Sequence, residues 1–318
     1  MPSFSRVSAR AIAALLLLAV GSAPAVARAQ QGAGAPRVLP PGLERPPTAQ
    51  ERQLVELGGL LLPPLRLELA PELGYAHDQG TTLAPSGGGL ALVEQDSDRG
   101  TAALIARLGL PMRLQAEVRV PFAWLRQTLT GLPGSERQEA SGLGDVRTAL
   151  SWNPVAGQAF PDVLLTGFWQ ARTGASLLDT DPAEVALGEG IERFGGTVAL
   201  VQALAPVALR VAGTGAHGVS RWTSAGWLEP GWTVGGALGA SVAATPALAF
   251  SLGVDAAWSP DVRLEHATVA DTARTAVWLR AGVGALASSR ADLQLDVAVG
   301  LTEDVRGLQV VVSAPLLF

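Results

Sequence analysis

The sequence predicts an all-β protein, a closed antiparallel transmembrane β-barrel of about twelve strands with both termini periplasmic. Three observations carry that expectation. Apolar and polar residues alternate with a period of two in segment after segment, each near the ~9–11 residues a tilted strand needs to cross a bilayer. Short connections alternate with long ones, and outer-membrane barrels join their strands by tight periplasmic turns and longer extracellular loops. The chain stops on an apolar stripe, GLQVVVSAPLLF, residues 307–318. An open edge of that kind aggregates in water. In hydrocarbon, where every backbone group must be paired, such a strand has to close a barrel.

The chain of 318 residues is 48% hydrophobic and 16% charged, against about a quarter charged in an ordinary soluble protein. Its one long apolar run is at the start, where Arg6 and Arg10 precede AIAALLLLAV and Ala27-Arg28-Ala29 follows. That order predicts a secretory signal peptide over residues 1–29, cut after Ala29. The apolar stretch is too short to span a bilayer as a helix. There is no Cys and no Lys; without residues 1–29 the charge is carried by 20 Arg against 28 acidic side chains. This acidic balance excludes a nucleic-acid partner, which needs a basic footprint. The missing thiols exclude disulfides and Cys-ligated metal centres. No cofactor is expected.

Residues 30–63 form a Pro-rich N-terminal segment that opens as a linker over 30–47. Thr48-Ala49-Gln50-Glu51 has capping-box spacing, with Leu54, Val55 and Leu57 as an apolar side and Gly58-Gly59 as a stop. It is either a short helix or irregular coil, since isolated short helices are marginal. The barrel is expected over residues 64–318. Its first strand sets Leu65, Leu67, Leu69, Leu73 and Tyr75 against Arg66, Glu68, Glu72 and Gly74. The second covers 101–110 and the third 114–124, and others fall near 142–152, 162–172, 196–204, 207–217, 230–243, 247–258, 274–286, 292–302 and 307–318. Tight turns are expected at 111–113, 205–206, 244–246 and 288–290, and long loops at 78–100, 127–141, 173–195, 218–229 and 259–273. The connections 153–161 and 303–306 fit less well, one long for a turn and the other short for a loop.

Tyr75, Trp124, Trp152, Trp169, Trp258 and Phe318 sit near strand ends, where amphipathic rings would mark the two bilayer interfaces. The competing architecture is a soluble β-sandwich with an aromatic core; the strand number, the loop rhythm and the terminal Phe weigh against it. The opposite, lumen face carries Arg66, Glu68, Glu72, Arg107, Glu117, Arg119, Asp145, Arg147 and Arg172 in the first five strands. In the rest it is mainly small residues with Arg210, Asp255, Arg280 and Asp296. These charges are either an ion-pair ladder that fills and stiffens the lumen or a polar, Arg-lined path for solutes. The room left by the small residues is either that path or the seat of residues 48–60 acting as a plug.

Three stretches, LLLPPLRLELAPELGYAHD from Leu60, LGLPMRLQAEVRVPF from Leu108 and GLGDVRTALSW from Gly142, resemble the outer-membrane transporter family of the meta-pathway of phenol degradation. The resemblance implies an outer-membrane barrel passing small, often aromatic or hydrophobic, molecules. It carries no residue roles beyond the motif positions Gly142, Gly144 and Asp145. The chain departs from the family in its single Tyr and its acidic loop at 173–195.

The expected function is therefore an outer-membrane channel or transporter for small molecules, and not an enzyme. A closed barrel with a structural or surface-adhesive role is the second reading, and an outer-membrane hydrolase the third. His77-Asp78, His217 with Ser220, and Asp261 with His266 lie at the predicted extracellular rim, but no G-x-S-x-G surrounds Ser220 and no two His have metal-ligand spacing. The expected partners are membrane lipid, the outer-membrane assembly machinery, which the terminal Phe strand would engage, and a small-molecule solute. The protein is expected as a monomer in the outer membrane of a Gram-negative-type cell.

Overall fold

Alternation becomes twelve barrel strands in the computed structural model, which describes residues 48–86, 89–132, 134–155, 161–175, 187–188, 190–223, 226–270 and 272–318. The strands are β1 (Leu67–Ser86), β2 (Gly89–Leu110), β3 (Leu114–Leu132), β4 in two pieces (Gly134–Leu143 and Arg147–Val155), β5 (Asp162–Gln170) and β6 (Arg193–Leu204). The second half holds β7 (Val207–Gly218), β8 (Gly231–Thr245), β9 (Leu248–Ser259), β10 (Arg274–Leu286), β11 (Asp292–Gly300) and β12 (Arg306–Ser313). Each is antiparallel to the next, and β12 returns to β1 with Glu72 opposite Ser313 and Gln79 opposite Arg306. Leu316–Leu317 completes the seam against Glu68 and Leu69. The terminal apolar stripe is thus a paired stave, and β12 on β1 closes the barrel. No described helix is long and apolar enough to cross a membrane, which says nothing of a barrel that crosses with strands.

The burial pattern is inverted relative to a protein in water. Leu73, Leu104, Val118, Val198, Leu238 and Leu252 are exposed on the outer face. Glu68, Arg107, Gln115, Ser241, Asp292 and Gln294 are buried on the inner one. A soluble sandwich would bury the first set against a second sheet; here a single closed sheet turns it outward, as lipid requires. The six interface aromatics follow the same rule, all on the outer face with 39–59% of their surface exposed. Phe194 and Trp232 join them, Phe194 stacked on its cross-strand partner Trp169 with ring centroids 6.3 Å apart.

Two of the five expected loops are strands. β1 and β2 stay paired out to Ser86 and Gly89, so 78–100 is the end of a long hairpin. β3 likewise continues past Trp124 to pair with Gly134–Leu143 across the expected loop 127–141. The apolar period marks only the part of a strand that touches lipid; beyond it both faces meet water and the signal ends. The loops 218–229 and 259–273 pair with each other as a four-stranded sheet built from Arg221–Thr223, Gly226–Glu229, Arg263–Leu264 and Ala267–Thr268. The first strand begins at Leu67 rather than Leu65, which has φ 63° in the turn after Pro63-Pro64. The signal peptide, its Ala29 cleavage site and the linker 30–47 lie outside the described residues, as does 176–186 of the loop 173–195.

Thr48 caps α1 (Ala49–Glu56), its hydroxyl accepting from Glu51 N while the Glu51 carboxylate accepts from Thr48 N. The helix ends in a Schellman turn: Gly58 N donates to Val55 O and Gly59 N to Leu54 O. Gly58 has φ +64°, which favours a residue without Cβ. The helix is therefore real, and coil is the reading that fails.

Candidate functional site

The small residues of β6 to β10 make room inside the barrel, and α1 occupies part of it. Leu54 packs on Leu164, Ala199, Val201, Ala208 and Ala212, inward-facing side chains of β5, β6 and β7. Around that apolar contact the helix is fastened to the wall on several sides. Ala49 N donates to Pro246 O, Gln50 Nε2 to Pro206 O and Ser241 O, and Gln53 Nε2 to Ser251 Oγ. Farther on, Leu62 N donates to Gln115 Oε1 at 2.8 Å. Pro206 and Pro246 belong to tight turns, so the helix sits at the short-turn end.

Above the helix lies a cavity of about 490 Å³. Its floor is Leu54, Val55, Leu57, Leu60 and Leu61, and its walls carry Glu72, Arg107, Glu117, Arg119, Arg147, Arg210, Asp255, Arg280 and Asp296. These are nine of the thirteen residues expected at the lumen. Glu68 is also inside, but below the cavity, where it joins the helix to the wall. Its two oxygens take Arg52 Nη1 and Arg107 Nη1, both at 2.8 Å, and Arg107 Nε reaches Glu117 at 2.9 Å. Arg119 pairs with Glu72 and Arg280 with Asp255. Burial of the Glu68 network is tolerated because each of its charges has a partner.

The remaining three candidates fall elsewhere. Arg66 precedes β1 and is exposed, its carbonyl accepting from Gly109 N. Arg172 lies past the end of β5 and is exposed as well. Neither lines the cavity; each was set one or two residues inside a strand that stops short of it. Asp145 sits in the break between the two pieces of β4 and faces the loop 173–195 rather than a solute, accepting from Gly174 N at 3.0 Å. Leu187 of that loop packs on Ala123, Leu125 and Ala140 of the hairpin extension. A Cβ on Gly188 would lie 2.4 Å from Asp145 Oδ1, so only glycine lets the loop approach. The Gly142-Leu143-Gly144-Asp145 motif is thus the seat of residues 173–175 and 187–188 of that loop. Leu187 was missed because one Leu in an acidic loop has no periodic signal. We expect Asp145→Ala to free this loop, seen as faster amide hydrogen exchange at 187–188 with the barrel strands unchanged.

The histidines are dispersed. His77 Nδ1 lies 3.0 Å from Asp98, His217 tilts against Trp232 with centroids 4.8 Å apart, and His266 bonds Glu229. Asp261 receives the N–H groups of Thr272 and Ala273 rather than His266. Asp98, two residues beyond the aromatic belt, accepts from the Tyr75 hydroxyl at 2.6 Å and is held below the usual carboxylate range by that bond and by His77. A carboxylate depressed on folding stabilises at pH values above its unfolded pKa, about 3.9. That contribution is lost as pH falls through the lower folded value. We expect Tyr75→Phe to raise the Asp98 pKa toward the ordinary value, as read from its carboxyl carbon by NMR titration. Both groups are well exposed, so the cost in stability is below about 1 kcal/mol.

A closed twelve-stranded antiparallel barrel, apolar outside and charged within, has the architecture of outer-membrane barrels. Comparison with solved structures places the chain in the same fold. It covers 82% of its length on 98% of the COG4313 outer membrane channel from Pseudomonas putida F1, at 19% identity and a TM-score of 0.63. The translocator domain of the autotransporter NalP from Neisseria meningitidis matches 84% of the chain over 94% of its own, with 10% identity and a TM-score of 0.48. The toluene transporter TbuX from Ralstonia pickettii matches 80% over 90%, with 12% identity and a TM-score of 0.39. The latter two are too loose to bear on the fold. No protein-family model matches the chain, and no curated protein does.

Proposed function

We propose that the protein is an outer-membrane channel for small, apolar or aromatic molecules, of the type its phenol meta-pathway resemblance implies. It would be exported by residues 1–29, inserted as a monomer by the outer-membrane assembly machinery, and act without a cofactor or catalytic step. The observation that carries this reading is the cavity of about 490 Å³ inside the barrel. Its floor is apolar and its wall charges are largely tied to one another, which suits a solute with an apolar body better than a sugar or a hydrated ion. Residues 48–60 are the plug of this channel. The inward-packed helix also favours a second reading, a barrel that stays closed and serves a structural role. Uptake of a labelled monoaromatic by Gram-negative cells with and without the protein, beside liposome swelling by sugars, separates the two. Faster aromatic uptake with little sugar permeation supports the channel; equal uptake favours the closed barrel.

A further inference from the structure

Five arginines and four carboxylates line the cavity. Arg107, Arg119 and Arg280 are in ion pairs. Arg147 and Arg210 have none among the described residues, and the Nε of each is buried without a hydrogen-bond partner. Arg147 is the more unusual of the two, because it stands directly opposite Arg119 across the β3–β4 ladder. Like charges in that position repel; Glu72 is bonded to Arg119 and Glu117 lies within electrostatic reach of Arg147, but neither carboxylate hydrogen-bonds the Arg147 guanidinium. The Arg147 guanidinium is also held in place, its Cζ lying 4.2 Å from the centroid of the Phe168 ring. Such stacking leaves the edge of the fork, with its N–H donors, free to take a carboxylate. The same cavity offers the leucines of the plug as an apolar floor.

We propose that this cavity binds a small amphipathic monocarboxylate, with its carboxylate at the Arg119–Arg147 pair and its apolar body on Leu54, Leu57, Leu60 and Leu61. The inference rests on the channel reading and narrows it from apolar molecules in general to apolar acids. Hexanoate, hexan-1-ol and acetate, each titrated calorimetrically into the purified full-length protein in detergent, test it. A charge-assisted hydrogen bond of ~1.5–3 kcal/mol predicts hexanoate binding about tenfold or more tighter than hexan-1-ol, and tighter than acetate. Arg147→Gln abolishes the preference over hexan-1-ol while circular dichroism and heat-modifiable gel migration stay those of the folded barrel. Arg147→Lys keeps part of the preference and Arg210→Gln keeps all of it. Equal affinity for hexanoate and hexan-1-ol in the unaltered protein overturns the inference without recourse to any variant. So does a preference that survives Arg147→Gln, or is lost in Arg210→Gln, or extends equally to acetate. If hexan-1-ol binds and hexanoate does no better, the channel reading stands and the acid subsite falls; if neither binds, both fall.

Discussion

Removing residues 48–60 raises the single-channel conductance of the purified barrel several-fold in planar bilayers. The expectation follows from what holds the segment. An isolated helix of eight residues does not persist in water, so α1 (Ala49–Glu56) exists because the lumen supplies its partners. Leu54 is buried among five wall side chains, a burial of roughly 1.5–3 kcal/mol. Four side chains or backbone groups of the helix reach the wall at Pro206, Ser241, Pro246, Ser251 and Glu68. None of these contacts is part of the strand ladder that closes the barrel, which runs from β1 round to β12 and back. The wall should therefore survive the deletion and the lumen should open through its short-turn end. Heat-modifiable migration of the deleted protein checks the first part. Conductance equal to that of the full chain would show that the helix blocks nothing, and the second, closed-barrel reading would then have to find its barrier elsewhere.

What the amino-acid order made legible was the part of the molecule that separates lipid from water. β8 alternates Leu238, Ala240 and Val242 with Ala237, Gly239 and Ser241, and such a pattern has one solution when one face meets hydrocarbon. The helix was legible to the extent that its caps are local, Thr48 with Glu51 and Gly58 with Val55. The rest is set by contacts far apart in the chain. Leu228 pairs with Leu264 in the outer sheet, and Leu187 finds Ala123 and Leu125, without any periodic signal in either segment. In the lumen, alternation says that Arg119 and Arg147 share a face; only the register of β3 on β4 says that they stand opposite each other. Which charges pair and which are left over is a property of that register, and the candidate site sets one left over, Arg147, opposite one that is paired, Arg119. Arg66 and Arg172 show the converse: parity alone extends a face past the point where the strand stops.

Glu68→Ala is expected to weaken the docking of the helix by about 3–5 kcal/mol, the usual consequence of removing one partner from a buried charge network. Glu68 is 1% exposed, and it stands between Arg52 and Arg107, each 4% exposed. Without its carboxylate two guanidinium groups share a dry space, with Glu117 on the far side of Arg107 and Asp292 3.8 Å from Arg52 Nε as the remaining acids nearby. The molecule has two ways to relieve this. Arg107 is fixed in the wall between β1 and β3, whose ladders would have to break for it to leave. Arg52 is on a short helix held by a few apolar side chains, Ala49, Leu54 and Val55, and a few hydrogen bonds. Expulsion of the helix is the smaller loss, so the variant should behave like the deletion, conducting more while its barrel resists heat as before. Arg52→Ala in the same background removes the second cation and should bring the conductance back toward that of the full chain, the sign of coupling that a double-mutant cycle reads directly. Additive effects of the two substitutions would mean that Glu68 acts on the wall alone and that the helix is held by its apolar face.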